Sequence, residues 1–296
     1  IGEMNGKHYV FTNASVISGH KKLMISNLNG KAVYPKKIEL SATRDLVRLL
    51  VVGEKALALN PAIVADEVIG VLNYQQSTIK NHGGIITGSS KDMIEINVAF
   101  EKACSGSPLL DGQFGARGVA NHLIYYKANG SDWVGTPRTF AYKLDDAAWY
   151  AANWSHYNKT YGKSLREIDE FRNVVYHMAQ KWVKRPKMEI EYEGGLGSDF
   201  DRWVKTHNGM ISDLRKKTSK GNASSANEKL QKRFLESCKA LTGICEAKAK
   251  NLEFLCEEKK ITKYLRIQLK WRALELKKFG RFVTAHAKNH ERDRWM

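Results

Sequence analysis

The spacing of hydrophobic residues changes about halfway along the chain. Up to about residue 130, short apolar runs alternate with polar positions and are separated by Gly, Asn and Pro, as at residues 9–12, 31–39, 46–52, 68–74 and 94–100. This pattern predicts short antiparallel strands. From Ser164 onwards the apolar residues recur every three or four positions, which predicts amphipathic helices. The fold class predicted from the pattern is therefore β plus α, with a β domain first and a helical domain after it.

Capping signals divide the helical half into four predicted helices. Ser164, Ser198 and Ser225 can each cap a helix, and a last helix is predicted over about residues 261–290. This last helix carries apolar residues on more than one side. Since a helix in a solvated bundle needs a single apolar stripe, we expect it to dock against a protein partner or a second copy of the chain.

One segment of the β half carries candidate chemistry. Residues 101–108 read Glu-Lys-Ala-Cys-Ser-Gly-Ser-Pro. The segment resembles the loop that carries the nucleophile in chymotrypsin-like serine proteases, with Ser105 in the nucleophile position. Such a loop also supplies backbone N–H groups that stabilise an oxyanion. By this resemblance the oxyanion hole is formed by Ala103, Cys104 and Ser105, with alanine at position 103 where the family has glycine.

Two upstream blocks extend the resemblance. Residues 44–50, Arg-Asp-Leu-Val-Arg-Leu-Leu, resemble the strand that carries the triad aspartate, which would be Asp45. Residues 9–17, Tyr-Val-Phe-Thr-Asn-Ala-Ser-Val-Ile, resemble the Thr-Asn-Ala-His-Val-Ile block that carries the histidine, with Ser15 in the histidine position. The three positions follow in the family's order at intervals of 30 and 60 residues. The chain is similar to trypsin-like serine proteases over about residues 6–130, closest to HtrA-like proteases and the short serine proteases of positive-strand RNA viruses.

The resemblance implies a domain division. Two antiparallel β-barrels are expected over residues 1–130, the first over 1–62 and the second over 66–130. The first barrel is expected to be truncated, because the family has one more strand before the histidine block. Residues 131–163 are expected to connect the barrels to a basic α-helical domain over 164–296. The strand at 118–123 resembles the one that lines the substrate cleft, which implies cleft positions for Asn121 and His122.

The serine at position 15 is a severe departure from the family. The triad imidazole accepts the proton of the nucleophile and returns it to the leaving group, and a serine hydroxyl can do neither near neutral pH. His8 and His20 lie near this block but outside the motif. We therefore favour a degenerate protease, or pseudoprotease, that serves as a scaffold or binding module. The alternative of an active serine endopeptidase whose histidine has been replaced leaves the question of enzymatic activity open.

The distribution of charge suggests a third function. The chain has a formal net charge of +17, of which residues 1–150 contribute +3 and residues 151–296 contribute +14. A near-neutral half and a basic half suggest two functions in one chain. Basic and aromatic residues of the last predicted helix could bind RNA or an acidic protein surface, namely Lys263, Arg266, Lys270, Trp271, Arg272, Lys277, Lys278 and Arg281. By analogy, such a combination suits an RNA-virus polyprotein product or a particle-associated structural protein.

The chain has four cysteines, and their spacing indicates whether they form disulfides or metal sites. Cys238, Cys245 and Cys256 are spaced for one stripe of a helix but lie too far apart along it to form disulfides, so with Cys104 they are predicted to be free thiols. This favours a reducing compartment, cytoplasm or virion, over secretion. No Cys/His spacing suits zinc, and neither a metal nor a cofactor is expected. No apolar run of 18 residues is present, which predicts no membrane span.

Overall fold

A computed structural model describes most of the chain. The described residues are 1–20, 23–26, 29–60, 62–75, 78–130, 132–145, 148–184, 189–218, 223–259 and 261–293. They divide into two compact units. The β unit comprises residues 1–125, 136–166 and 260–267, and the helical unit comprises residues 126–135, 167–259 and 268–296.

Thirteen strands lie in the described part of the chain. They are β1 (Gly2–Met4), β2 (Lys7–Thr12), β3 (Ile25–Ser26), β4 (Ala32–Val33), β5 (Lys37–Ser41), β6 (Val47–Val51), β7 (Val68–Gln75), β8 (Thr78–Ser89), β9 (Met93–Ile96), β10 (Pro108–Asp111), β11 (Ala116–Asn129), β12 (Asp132–Lys143) and β13 (Trp149–Ala151). Strands β10-β11-β12-β9-β8-β7 form a closed barrel. An antiparallel sheet has the order β1-β2-β6-β5-β13, and β3 pairs with β4 separately.

Alternation of side chains builds the barrel core. Ile69 and Val71 on β7 are at most 2% exposed and pack with Ile86, Ile94 and Leu109 from the neighbouring strands. Because side chains of a strand point alternately to its two faces, the intervening positions face outwards. The closed barrel agrees with the second barrel that the sequence predicts. The barrel also includes β12. Strand pairing therefore continues into residues 131–163, the segment that was expected to connect the barrels to the helical domain.

The N-terminal sheet shows the same alternation on a smaller scale. On β6, Val47, Leu49 and Val51 are buried, whereas the intervening Arg48 and Leu50 are half-buried. Within the described residues this sheet is open, and it includes a strand, β1, before the block that carries Ser15. Strand β13 extends one edge of the sheet by pairing with β5.

A buried arginine fixes the turn between β5 and β6. Arg44 is 5% exposed, and its guanidinium donates to the carboxylates of Asp92 and Asp145 and to the carbonyl of Lys143. A buried guanidinium needs this number of acceptors to offset its loss of hydration. These bonds hold the backbone at residue 44 and therefore position the next residue, Asp45.

Six α-helices lie in the described part of the chain, and four of them are long. They are α1 (Ala14–Ile17), α2 (Trp154–Tyr157), α3 (Lys163–Lys184), α4 (Ser198–Thr218), α5 (Ala223–Cys256) and α6 (Lys263–Asp293). The four long helices match the four predicted from the sequence, and with the barrel they confirm the β plus α fold class. The buried stripe of α5 includes Cys238, Cys245 and Cys256, and the four cysteines, all within the described residues, are buried and form no disulfide.

Aromatic packing forms the core of the helical unit. Trp133, at the start of β12 in the part of that strand that belongs to this unit, is 1% exposed. Its ring centroid lies 5.6 Å from that of Tyr176, 5.4 Å from Phe279 and 5.3 Å from Phe282. Edge-to-face aromatic contacts of this kind add stability beyond the area they bury.

Charged residues are also buried in the helical unit. Arg172 on α3 is 5% exposed and forms an ion pair with Glu275 on α6, which is 4% exposed. Asp169 accepts hydrogen bonds from both Arg172 and Arg272. Burial raises the pKa of Asp169, but these two guanidinium groups outweigh burial and lower it to about 2. The Asp169 carboxylate therefore stays ionised at neutral pH.

Candidate active site

Position 15 and Asp45 are in direct contact. The Ser15 hydroxyl donates to Oδ2 of Asp45 at 2.5 Å, and the Ser15 backbone N–H donates to Oδ1 at 2.9 Å. Ser15 lies in the first turn of α1, and the preceding Asn13 donates its amide to the Asp45 backbone carbonyl at 2.9 Å. The serine thus occupies the acceptor site on the carboxylate that an imidazole would need.

Asn121 links Asp45 to Ser105. Asp45 and Asn121 are 2% and 1% exposed, and Nδ2 of Asn121 donates to Oδ2 of Asp45 at 3.4 Å. On the other side, the Ser105 hydroxyl donates to Oδ1 of Asn121 at 3.5 Å. The structure thus connects the three positions expected from the resemblance through the neutral amide of Asn121.

Ser105 makes no hydrogen bond to a histidine ring within the described residues. Its hydroxyl oxygen accepts a hydrogen bond from the backbone N–H of His122 at 3.0 Å, and the hydroxyl donates its own hydrogen bond to Asn121. His8 instead contacts the Glu54 carbonyl through Nδ1 at 2.6 Å, and His20 contacts Arg166 at 3.3 Å. The described site therefore contains a half-buried hydroxyl without an imidazole base.

In the loop that carries Ser105, backbone N–H groups expected to form the oxyanion hole make hydrogen bonds within the loop. Lys102–Cys104 form a 3-10 turn in which the Cys104 N–H donates to the Glu101 carbonyl at 2.9 Å. The Ser105 N–H donates to the Lys102 carbonyl at 3.0 Å. An oxyanion hole requires free N–H groups aimed at the reacting carbonyl oxygen. Two of the three residues expected to form the hole thus have their N–H groups bonded inside the turn, and Ala103 lies within it.

A glycine allows this loop to approach residues 12–16. Gly106 has φ of +90°, and a Cβ at this position would lie 2.4 Å from Oγ1 of Thr12. A side chain would therefore be strained by its backbone conformation and by the contact. The Gly106 N–H donates to the Ala120 carbonyl at 2.9 Å, which attaches the loop to β11.

Cys104 fastens the same loop to the barrel. The buried Cys104 sulfur accepts a hydrogen bond from Nδ2 of Asn73 on β7 at 3.2 Å and lies 3.8 Å from Nε2 of His82 on β8. Sequence reasoning missed Asn73, Arg44 and the bonded Ser105 N–H. Their roles depend on pairings between distant residues or on backbone conformation, for which the motifs carry no signal.

The side chain of His122, whose backbone N–H donates to Ser105, packs near Phe100 in the β unit. It is half-buried, and its centroid is 6.4 Å from that of Phe100. Burial lowers the pKa of His122 and the Lys102 ammonium lowers it further, so the imidazole is neutral at neutral pH. The cleft position expected for His122 is therefore compatible with its place next to the nucleophile loop.

The predicted binding residues of α6 differ in their exposure. Lys263, Lys270, Lys278 and Arg281 are exposed, and Arg266 and Trp271 are half-buried. Arg272 is buried and bound to Asp169, and Lys277 forms an ion pair with Glu253 at 2.6 Å. We therefore remove Arg272 from the residues expected to contact phosphates, because its guanidinium is bound to Asp169 inside the helical unit.

Neither a metal cluster nor a membrane helix is found in the described part of the chain. No group of three or more His, Cys, Asp or Glu side chains there is arranged to hold a metal ion. None of the described helices combines the length and the hydrophobicity needed to cross a bilayer.

Comparison with known proteins finds partial similarity to solved structures of proteases. No family model and no curated protein matches its sequence. Its structure is similar to AlgW, an HtrA-type protease with a decapeptide, with 20% identity and a TM-score of 0.38 over 48% of this chain. The match spans 46% of the AlgW chain, less than half its length.

Two further solved structures are similar over the same share of this chain, 46%. The active form of the Rv3671c protease from M. tuberculosis has 17% identity and a TM-score of 0.36 over 64% of its own chain. The MamO protease domain from Magnetospirillum magneticum has 13% identity and a TM-score of 0.35 over 79% of its own chain. The structure itself contains a closed barrel, and hydrogen bonds through Asn121 link positions 15, 45 and 105.

Proposed function

We propose that this chain is a pseudoprotease that binds a peptide segment at the Ser105 cleft without cleaving it, and so acts as a scaffold or binding module. The observation that carries the proposal is the 2.5 Å hydrogen bond from Ser15 to Asp45. It places a hydroxyl where the mechanism needs an imidazole, and a hydroxyl cannot exchange protons with Ser105 near neutral pH.

The closed oxyanion loop supports the same proposal independently. With the Ser105 N–H bonded to the Lys102 carbonyl, a bound peptide carbonyl would find no free donor from this residue. The hole contributes about 3–4 kcal/mol per donor in a related protease. Both the base and this donor are therefore missing from the site, whereas Ser105 and His122 retain partly exposed side chains that a ligand can reach.

The proposal predicts that the chain neither hydrolyses peptides nor reacts at Ser105 with a fluorophosphonate. Loss of the base in a serine protease triad lowers kcat on the order of 10⁶-fold. Mass spectrometry of the intact chain after incubation with the probe measures the reaction, with trypsin as the positive control. Rapid stoichiometric labelling that disappears in Ser105→Ala would contradict the proposal and favour the alternative, an active serine endopeptidase.

RNA binding through the helical unit is a second candidate function. Lys270, Lys278 and Arg281 of α6, which we call the basic face, are all exposed. Exposed cations along one helix can contact successive phosphates, and binding then releases counterions. We name RNA because of the viral setting that the sequence resemblance suggests. Docking of α6 against a protein partner or a second copy is the competing proposal for this face.

RNA binding through the basic face is expected to weaken steeply with salt. Replacement of Lys270, Lys278 and Arg281 by glutamine should lower both the affinity for single-stranded RNA and the slope of log K against log salt, by about one unit per lost phosphate contact. Fluorescence anisotropy of the full chain measures both quantities. The matched control is Lys277→Gln, because Lys277 is already paired with Glu253. Equal binding by the triple variant and the control would exclude this role of the basic face.

A further inference from the structure

A segment without helix or strand lies against α4 in the helical unit. It comprises residues 189–197, which we call the strap, and reads Glu-Ile-Glu-Tyr-Glu-Gly-Gly-Leu-Gly. Nδ2 of Asn208 on α4 donates to the Ile190 carbonyl at 2.9 Å, and Oδ1 of Asn208 accepts a hydrogen bond from the Ile190 N–H at 2.8 Å. One side-chain amide thus pairs with both backbone groups of one residue, as a neighbouring strand does.

Two alternate residues of the strap, Ile190 and Tyr192, have their side chains engaged in the helical unit. Ile190 is 5% exposed. The Tyr192 hydroxyl donates to Oδ1 of Asp201 at 2.7 Å, and the Tyr192 ring lies edge-on to that of Phe200, with 5.2 Å between the centroids. Burial and then Asp201 raise the pKa of Tyr192 to about 12, so the hydroxyl keeps the proton that it donates.

The strap is acidic, whereas the half of the chain that holds it is basic. Glu191 and Glu193 are exposed, and Glu189 forms an ion pair with Arg215 of α4 at 3.1 Å. Residues 151–296 as a whole have a formal net charge of +14. Charge therefore favours an acidic segment at this place.

Three glycines lie between Tyr192 and the start of α4. Gly194, Gly195 and Gly197 have φ of +94°, +100° and +110°, and a Cβ at Gly194 or Gly195 would meet no atom within 4 Å outside its chain neighbours. This connection can therefore change its conformation without loss of packed side chains. Within the strap Ile190 alone is buried, so few contacts have to break for the strap to open locally.

We propose that α4 carries a second peptide-binding site, which the strap occupies and which an acidic, extended peptide of the pattern Glu-Ile-x-Tyr from a partner protein can take over. Extended peptides are recognised by hydrogen bonds to their main chain and by contacts with alternate side chains. Asn208 supplies the first, and the contacts of Ile190 and Tyr192 supply the second. The site lies within the helical unit and does not depend on peptide binding at the Ser105 cleft.

Other occupants fit this site less well. A nucleic acid lacks the paired N–H and C=O groups that Asn208 binds, and its phosphates would meet the Asp201 carboxylate. A basic peptide would place a lysine or arginine beside Arg215. The strap of a second copy is already held by its own Asn208 at a high effective concentration, so it competes poorly.

The test compares the unchanged chain with a variant in which the strap is released. Ile190→Ser with Tyr192→Ala removes both side-chain contacts of the strap and leaves the residues of α4 unchanged. A fluorescein-labelled peptide with the sequence of residues 189–197 is titrated against both full chains by anisotropy. Because the intact strap competes for the site, we expect the peptide to bind the released variant at least about tenfold more tightly. An equal or weaker affinity for the released variant would overturn the proposal.

Further substitutions connect the binding to α4. Addition of Asn208→Leu to the released variant should weaken peptide binding about tenfold, because both hydrogen bonds to the peptide main chain are lost. Asn251→Leu, at an exposed position of α5, is the matched control and should leave the affinity unchanged. A peptide that carries Ile190→Ser and Tyr192→Ala should not bind. Binding that survives Asn208→Leu would lie elsewhere on the chain, and the proposal would be wrong.

Circular dichroism shows whether the released variant is folded. If it is not, Tyr192→Phe decides, since this substitution removes only the hydroxyl that bonds to Asp201 and to the Leu196 N–H. It should raise the affinity of the chain for the unchanged peptide about fivefold, and an unchanged affinity overturns the proposal. None of these outcomes bears on the Ser105 cleft, because every variant leaves the residues of the β unit unchanged.

Discussion

Replacement of Ser15 by histidine is expected to make Ser105 reactive towards a fluorophosphonate. Ser15 is exposed, so an imidazole can extend from its Cβ, and its N–H bond to Asp45 holds the backbone in place. Oδ2 of Asp45, which now accepts the Ser15 hydroxyl, would then orient the ring. Because loss of the base costs on the order of 10⁶-fold in kcat, even partial recovery should be measurable by intact mass.

The same variant is expected to remain far slower than an ordinary protease. The Ser105 N–H stays bonded to the Lys102 carbonyl, so one oxyanion donor is still missing. Addition of Ala103→Gly, which frees the loop backbone to leave the 3-10 turn, should raise the rate by a further factor of about 10²–10³. Ser15→His with Ser105→Ala is the control and must not react. No reaction of either histidine variant would show that the defect lies elsewhere.

Replacement of Arg172 by methionine is expected to lower the free energy of unfolding of the helical unit by about 3–5 kcal/mol. The substitution keeps most of the side-chain volume but leaves the buried Glu275 carboxylate without its ion-pair partner. It also removes the cation from the ring of Trp271, whose centroid is 4.8 Å from the guanidinium carbon. Denaturant unfolding, followed by hydrogen exchange in α3 and α6, measures the loss.

An exposed arginine provides the control for this prediction. Arg215 pairs with Glu189 at 3.1 Å, and their side chains are 63% and 44% exposed. Arg215→Met should therefore change the stability by no more than about 1 kcal/mol. If the two substitutions lowered the free energy of unfolding equally, burial would not explain the contribution of the ion pair between Arg172 and Glu275. The double variant Arg172→Met/Glu275→Leu should recover part of the loss, because it leaves no unpaired charge at position 275.

The positions of the candidate site could be predicted because the motifs are local. Ser15, Asp45 and Ser105 each lie within a short block whose residues also form the surrounding strand or turn. The contact between Ser15 and Asp45 joins residues 30 apart, at the spacing that the resemblance implies. By contrast, the bond between Ser105 and Lys102 depends on backbone angles in a turn, and the residue types of the loop do not specify those angles.

Long-range pairing explains the other differences. Arg272 was expected on a binding surface because it lies in a basic run, but Asp169, 103 residues away in the sequence, binds it in the interior. Strand β13 contains Trp149 and Tyr150, residue types that favour strands, yet its strand state depends on pairing with Ser41 and Leu40 of β5. A periodicity within one segment cannot report a partner that lies far away in the chain.

The division of the chain has a practical consequence for any attempt to dissect it. The polypeptide passes from one compact unit to the other five times, after residues 125, 135, 166, 259 and 267. A truncation that begins at residue 164 would therefore lack the segment with Trp133, whose ring packs against those of Tyr176 and Phe279. Neither unit can be cloned as a continuous fragment with its core complete, and a single protease nick would not release either one.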